Sequence, residues 1–81
     1  MSKSPTGEQP FRIYTAESIG QAIRHYRKQA GLTQAELADR VGIQQSYLSR
    51  LEQGHETEQL RRVLAILRQL GVRATLRHED W

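Results

Sequence analysis

The hydrophobic residues of this chain recur with helical spacing in four separate segments. In the first, apolar residues fall at i, i+3, i+4, i+7 and i+11, which predicts a helix over residues 16–30. The same spacing predicts helices over 33–40, 45–53 and 58–70. A glycine follows each segment closely, as expected where a left-handed residue ends a helix. The pattern therefore predicts an all-α fold of four short helices.

The residues that precede the helices give a second signal. Thr15 and Thr33 are good N-caps, and Glu36 follows Thr33 at the spacing of a capping box. Gln44, before the third helix, caps poorly compared with serine or threonine. Two explanations remain open for Gln44: its amide is engaged elsewhere, for instance with a phosphate, or water satisfies the first turn.

The hydrophobic pattern changes from helical spacing to alternation after residue 71. Val72, Ala74 and Leu76 alternate with polar residues, which is typical of a strand. A single strand leaves its backbone groups unpaired. It must therefore pair either with Phe11–Tyr14, which also alternates, or with the same strand of a second copy.

The fourth predicted helix has an unusually wide apolar face. Two adjacent stripes run along it, the first formed by Leu60, Leu64 and Leu67 and the second by Val63, Ile66 and Leu70. Together they exceed what a four-helix domain of this size must bury, so the second stripe is a candidate partner surface. The alternative is that both stripes close the core.

Length and composition narrow the class of protein. With 81 residues the chain is one small domain, divided here into a flexible arm (1–14), a helical domain (15–71) and a C-terminal strand and tail (72–81). The net charge of +3 comes mainly from arginine, which suits phosphate and base recognition, although an ordinary surface can carry the same charge. No apolar run approaches the roughly 20 residues of a membrane span, and no signal peptide is recognisable, so we expect a cytoplasmic protein.

No residue pattern in the sequence supports an enzymatic function. There is no cysteine, and His25, His55 and His78 lack metal-ligand spacing. A glycine-rich phosphate loop and a nucleophile elbow are also missing from the sequence. We therefore predict no catalytic residue, no metal and no cofactor.

The third predicted helix has a polar face of a distinctive kind. It begins with glutamines and a serine, Gln44 to Ser46, and Ser49 and Arg50 follow one turn later. Amide, hydroxyl and guanidinium groups at a helix N-terminus suit base reading in the major groove. Around this face, six residues are predicted to point inward: Leu37, Ala38, Val41, Ile43, Leu48 and Leu51.

The segments Gly31–Ala38, Val41–Ile43 and Leu48–Gly54 together resemble the Xre/Cro family of lambda-repressor-like helix-turn-helix domains. The likeness extends over residues 16–71 and is specific, because cap, turn glycine and core spacing all agree. It implies a homodimer that binds double-stranded DNA at an inverted-repeat operator.

By position, the resemblance also implies roles for individual residues. The implied base readers are Gln45, Ser46 and Arg50, with Tyr47 and Ser49 flanking them and Gln34 and Gln44 as phosphate contacts. Arg27 and Glu52 match a family ion pair that joins the first helix to the end of the third. For Arg27, the alternative is a solvated or phosphate-facing charge.

The chain departs from the wider family after residue 71, where a strand pattern replaces the usual fifth helix. In this respect it resembles HipB-type antitoxins, which dimerise through such a strand and bind a kinase-fold HipA-type toxin. The strand and the second apolar stripe of the fourth helix together supply a candidate dimer interface, formed by Val63, Ile66, Leu70, Val72, Ala74 and Leu76. Trp81 is a candidate anchor for the toxin, or alternatively packs on its own domain.

Two other functions remain open. The first is a stand-alone Cro/Xre-type repressor without a toxin partner. The second is a protein-interaction adaptor that has kept the fold but lost DNA binding, against which the polar face of the third helix argues. A small-molecule sensor is disfavoured because no residues remain for a ligand domain.

Overall fold

The computed structural model describes residues 11–79 and shows the four helices expected from the hydrophobic pattern. The elements in chain order are β1 (Phe11–Ile13), α1 (Ala16–Gln29), α2 (Gln34–Val41), α3 (Gln45–Glu52), α4 (Glu58–Gln69) and β2 (Ala74–Leu76). Each helix begins and ends within one residue of its predicted bounds. The all-α prediction is confirmed, with a small sheet added to it.

Three of the four helices begin at a threonine whose hydroxyl accepts a backbone N–H. Thr15 accepts from Ser18 at 3.1 Å, and Thr57 accepts from Leu60 at 3.1 Å. At α2 the capping box is complete, because Thr33 accepts the Glu36 N–H at 3.0 Å while the Glu36 carboxylate accepts the Thr33 N–H at 2.8 Å. The start of α3 differs, as described below.

The turn between α2 and α3 depends on Gly42. Its φ of 83° lies in the left-handed region, which residues with a Cβ rarely adopt. The Gly42 and Ile43 N–H groups donate to the Ala38 carbonyl at 2.9 and 3.0 Å, so the last turn of α2 is closed. This tight turn determines where α3 starts.

The two strands pair with each other within the chain. They are antiparallel, with Ile13 opposite Ala74 and Arg12 opposite Thr75. Of the two partners considered for the C-terminal strand, the N-terminal segment is therefore the one observed in the single chain. Phe11–Ile13, which the sequence-based division assigned to the N-terminal arm, form a strand of this sheet; residues 1–10 lie outside the described part.

The hydrophobic core is small and joins the sheet to α1 and α4. Ile13, Ala22 and Leu64 are buried at its centre. The Tyr26 hydroxyl donates to the Leu76 carbonyl at 3.1 Å, which ties α1 to β2. Partly buried side chains complete the cluster: Ile19, Tyr26, Leu60 and Ala74.

One predicted core position is wrong. Val41 is 61% exposed, although the helical spacing placed it inward with Ala38 and Leu48, which are buried. The reason is its place as the last residue of α2: the chain turns away at Gly42, so no following turn of helix covers its side chain. Within residues 11–79, no helix has both the length and the apolar character needed to cross a membrane.

Candidate nucleic-acid interface

The outer face of α3 is polar and accessible. Leu48 and Glu52 point inward and are buried, as expected for residues four apart on a helix. Ser46 and Arg50 lie one turn apart on the side of α3 away from these two residues, and Gln45 is the first residue of the helix. All three predicted base readers are exposed, so the structure leaves each of them accessible.

The N-terminus of α3 has open hydrogen-bond donors. The Gln44 side chain makes no capping bond, although its carbonyl accepts the Tyr47 and Leu48 N–H groups at 3.1 and 3.2 Å. Within residues 11–79, the N–H groups of Gln45 and Ser46 have no partner. Free N–H groups and the positive end of the helix dipole favour an anion here.

The two residues predicted to flank the base readers differ in their availability. Tyr47 is 47% exposed, so its ring is accessible beside the polar face. Ser49 is half-buried, and its hydroxyl accepts a hydrogen bond from the Gln53 side-chain amide at 3.2 Å. Ser49 can still contact DNA, but one of its lone pairs is already used within the domain.

The Arg50 guanidinium has no carboxylate partner in the described part of the chain. Other exposed arginines do pair: Arg62 contacts Glu58 at 2.6 Å and Arg77 contacts Glu79 at 3.3 Å. An unpaired guanidinium keeps its planar donor fork for an external acceptor. Arg50 is therefore available for a bidentate contact.

A buried ion pair holds the other end of α3. The Arg27 Nε donates to Glu52 Oε2 at 2.6 Å and its Nη2 donates to Oε1 at 2.9 Å. A third donor, Nη1, bonds the Leu32 carbonyl at 2.8 Å. Only 9% of the Arg27 side chain and 3% of the Glu52 side chain are exposed. The two residues expected to pair therefore link α1, the α1–α2 turn and α3.

The electrostatics of this pair favour its charged state. Hydrogen bonding from Arg27 lowers the pKa of Glu52, burial acts in the opposite direction, and a bond from Gln34 adds to the lowering. The same pairing with Glu52 raises the pKa of Arg27. Both groups are therefore ionised near neutral pH, and the pair stays intact.

Gln34, predicted as a phosphate contact, is partly committed inside the domain. Its amide nitrogen donates to Glu52 Oε1 at 3.0 Å, and its side chain is half-buried. One N–H of the Gln34 amide is thus used within the domain, while the second N–H and the amide oxygen remain available to an external group. The sequence pattern did not indicate this bond.

Sequence reasoning also missed two glycines that let α1 approach the end of α3. A Cβ built on Gly20 would overlap the Leu51 carbonyl oxygen, and one built on Gly54 would lie 3.1 Å from the Glu17 Cα. The available signal was Gly20 itself, since a glycine inside a helical pattern often marks close packing.

The second stripe of α4 is exposed. Val63, Ile66 and Leu70 are all more than half accessible, so in the single chain this stripe does not close the core. Val72 and Leu76 are also exposed. Ala74, also predicted at the dimer interface, is partly buried, pairs with Ile13 in the sheet and packs against the chain's own core. Trp81 lies outside the described residues.

Comparison with known proteins agrees with this geometry. A family model described as helix-turn-helix matches residues 23–76. The chain is 38% identical over 66 residues to the transcriptional regulator SinR of Bacillus licheniformis, covering 76% of this chain and 59% of that protein. It is 46% identical over 39 residues to SinR of Bacillus subtilis, covering 48% and 35%.

A third relative is an antitoxin. The antitoxin HipB of Escherichia coli K12 is 34% identical over 65 residues, covering 80% of this chain and 74% of that protein. The chain thus spans less than two thirds of either SinR protein but most of HipB. No solved structure matches the chain at a comparable level of significance.

Proposed function

Because the chain belongs to the helix-turn-helix family, we propose that it is a sequence-specific DNA-binding transcriptional repressor that acts as a homodimer. The observation that carries this proposal is the exposed polar surface of α3, where Arg50 has no carboxylate partner among residues 11–79 and N–H donors are open at the N-terminus. That helix enters the major groove with its N-terminal end first.

Base reading follows from the chemistry of three side chains. The Gln45 amide can bridge N6 and N7 of adenine, and the Arg50 guanidinium can bond O6 and N7 of guanine. Ser46 discriminates weakly, because a hydroxyl both donates and accepts. Tyr47 and Ser49 lie beside these groups and contribute sugar or thymine-methyl contacts.

Phosphate contacts fix the domain on the duplex. Gln44, whose side chain makes no bond to its own helix, reaches a phosphate at the N-terminus of α3. Gln34 makes the corresponding contact at the start of α2. These contacts position the domain without reading sequence.

A dimer gives the protein its operator symmetry. The exposed stripe of Val63, Ile66 and Leu70 on α4, continued by Val72 and Leu76, is the apolar surface on which two copies meet. Two reading helices then lie about 34 Å apart, one turn of DNA. The target is an inverted repeat.

The finer role we propose is that of an antitoxin. The support is the similarity to HipB over 80% of the chain, together with the C-terminal strand. In this role the protein binds a kinase-fold toxin, with Trp81 as an anchor, and represses its own operon. The similarity to SinR favours the alternative of a stand-alone repressor, so the two roles need separate tests.

Footprinting on the DNA upstream of the protein's own gene tests the main proposal. We expect a protected palindrome, and loss of protection in Arg50→Ala with the fold intact by circular dichroism. Affinity should also fall steeply with salt, because phosphate contacts release counterions. A folded protein with salt-insensitive, sequence-independent binding would instead indicate the adaptor.

A pull-down with the product of an adjacent kinase-like gene tests the antitoxin role. We expect a complex with the wild type and a weakened one with Trp81→Ala, while operator binding stays unchanged. If no kinase-like partner binds a protein that still protects its operator, the stand-alone repressor is the better description.

A further inference from the structure

The Glu52 carboxylate accepts hydrogen bonds from side chains of two other helices. Arg27 of α1 supplies two, at 2.6 and 2.9 Å, and the Gln34 amide of α2 supplies a third, at 3.0 Å. Since Glu52 is the last residue of α3, one carboxylate joins the reading helix to the first residue of α2. Its side chain is only 3% exposed, so water does not compete for these bonds.

The charge of this carboxylate determines which way the Gln34 amide points. An ionised carboxylate only accepts hydrogen bonds, so the nitrogen end of the amide must face it. The reversed amide would place its oxygen about 3 Å from Glu52 Oε1 and would be repelled. The remaining N–H of Gln34 is therefore kept as a donor for an external group.

The surroundings of Gln34 make this orientation relevant to DNA. The capping box already uses the Thr33 and Glu36 N–H groups, so the backbone N–H groups of Gln34 and Ala35 remain open in the described structure. A phosphate approaching this end of α2 meets these donors and the amide N–H together. A reversed amide would present its oxygen to the phosphate instead.

We propose that Glu52 is a positioning residue for DNA binding, which holds the Gln34 amide as a phosphate donor at a fixed place relative to the reading helix. This inference rests on the proposed function, because it assumes that α3 reads an operator. It adds a role for a residue that itself touches no DNA. A merely structural Glu52 would support all DNA contacts equally, whereas a positioning Glu52 acts on one phosphate.

Phosphate ethylation interference on the operator separates these roles. In the wild type, we expect one phosphate in each half-site whose ethylation weakens binding about threefold to tenfold through loss of the Gln34 bond. In Gln34→Met, ethylation there should weaken binding clearly less than in the wild type, because only the backbone N–H contacts of residues 34 and 35 remain. In Glu52→Gln, the effect of ethylation at the same phosphate should fall by the same amount, while ethylation at the N-terminus of α3 keeps its full effect.

Gln44→Met is the matched control. Gln44 lies at the start of α3 as Gln34 lies at the start of α2, but Gln44 makes no bond to Glu52. The substitution therefore removes the same kind of amide from a site that Glu52 does not hold. It should reduce the effect of ethylation at a different phosphate, and that effect should stay at its wild-type size in Glu52→Gln. If Glu52→Gln keeps the Gln34-dependent signal, or loses every signal together, the inference is wrong. Should the wild type show no operator interference at all, the proposed function itself fails.

A measurement on the unaltered protein covers the case in which Glu52→Gln does not fold. In a ¹⁵N-resolved spectrum, one Gln34 amide proton should show the downfield shift of a bond to a carboxylate in the free protein. Adding operator DNA should then move mainly the second proton. Two unshifted protons in the free protein, or two that move together on binding, would overturn the inference.

Discussion

Gly20 of α1 lies directly against the backbone carbonyl of Leu51 in α3, with no space between them for a side chain. A Cβ at residue 20 would overlap the Leu51 oxygen and lie 3.1 Å from the Glu52 carbonyl carbon. Backbone therefore meets backbone at the end of α3 remote from its polar N-terminus. This contact and the Arg27–Glu52 pair hold the reading helix at a defined angle to the domain.

Gly20→Ala tests the close contact. In an open helix the change would stabilise by about 0.5–1 kcal/mol. Here the overlap must be relieved by separating two helices, so we expect a net loss of about 1–3 kcal/mol in the free energy of unfolding. Urea denaturation followed by circular dichroism measures it. Gln21→Ala, at the exposed next position, should change stability by less than about 0.5 kcal/mol. Equal stability of Gly20→Ala and wild type would contradict the contact.

The Arg27–Glu52 pair predicts a stability that depends on acid. The folded-state pKa of Glu52 lies below its unfolded value of about 4.3. Its contribution is therefore complete above that value and is lost as the pH falls through the folded-state pKa. We expect the free energy of unfolding, measured by urea titration at several pH values, to decline below about pH 4.5.

Glu52→Gln should separate this contribution from the rest of the acid response. It leaves the buried Arg27 without a charged partner, so we expect a loss of about 3 kcal/mol at pH 7 and a shallower decline in acid. Some decline should persist, because a bond from the Thr33 backbone N–H also lowers the pKa of Glu36. Glu56→Gln, which removes an exposed carboxylate, should change the pH 7 value by less than about 0.5 kcal/mol. An unchanged acid slope in Glu52→Gln would show that the pair does not control it.

The missing cap of α3 predicts that stability and DNA binding can be moved in opposite directions. Gln44→Ser and Gln44→Asp should each stabilise the domain by about 0.5–1 kcal/mol by capping the first turn. Both variants should lower operator affinity by removing the amide contact, and Gln44→Asp should lower it further because its charge repels phosphate. For comparison, Thr57→Ala removes an existing N-cap from α4 and should lower the free energy of unfolding by about 1 kcal/mol.

Thermal melts and operator titrations of the two Gln44 variants check this prediction. A gain in stability together with a larger affinity loss for the aspartate is the expected pattern. If Gln44→Ser and Gln44→Asp bind the operator with equal affinity, no phosphate lies close to the N-terminus of α3.

The helices could be predicted from sequence because their signals are local. Thr15 and Thr33 mark where helices begin and Gly42 marks a turn, and each acts within a few residues of its own position. The Arg27–Glu52 pair was accessible only through the family resemblance, since 25 residues separate the partners. A spacing rule within one helix cannot bring such distant residues together.

The missed features depend on what lies across from a residue in space. Val41 fits the inward spacing of α2, but its exposure is decided by the absence of a further helical turn above it. The Gln34–Glu52 bond and the Gly20–Leu51 contact likewise depend on the distance between helices. The pairing of β1 with β2 was one of two candidates, because alternation shows that a strand needs a partner without identifying it.

That pairing changes how the dimer must be tested. Deleting residues 72–81 would remove β2, and with it the strand partner of Phe11–Ile13 and the Ala74 contact with the core. The shortened chain would lose stability as a monomer, so weaker operator binding would say little about the dimer. A point substitution in the exposed stripe of α4 avoids this difficulty.

Ile66→Lys places a charge in the middle of the stripe, at a residue that is 57% exposed in the single chain. Burying an unpaired charge in an interface is strongly unfavourable, whereas the same charge on a monomer stays in water. We expect sedimentation velocity to show a dimer for the wild type and a monomer for Ile66→Lys, with thermal stability changed little once the dimer contribution is removed.

The matched control is Gln69→Lys, which adds the same charge to an exposed position of α4 outside the stripe and should stay dimeric. Operator affinity should fall at least tenfold in Ile66→Lys, while affinity for a single half-site stays unchanged. A dimeric Ile66→Lys would place the interface elsewhere, since two apolar stripes cannot meet across an unpaired lysine without losing most of their association energy.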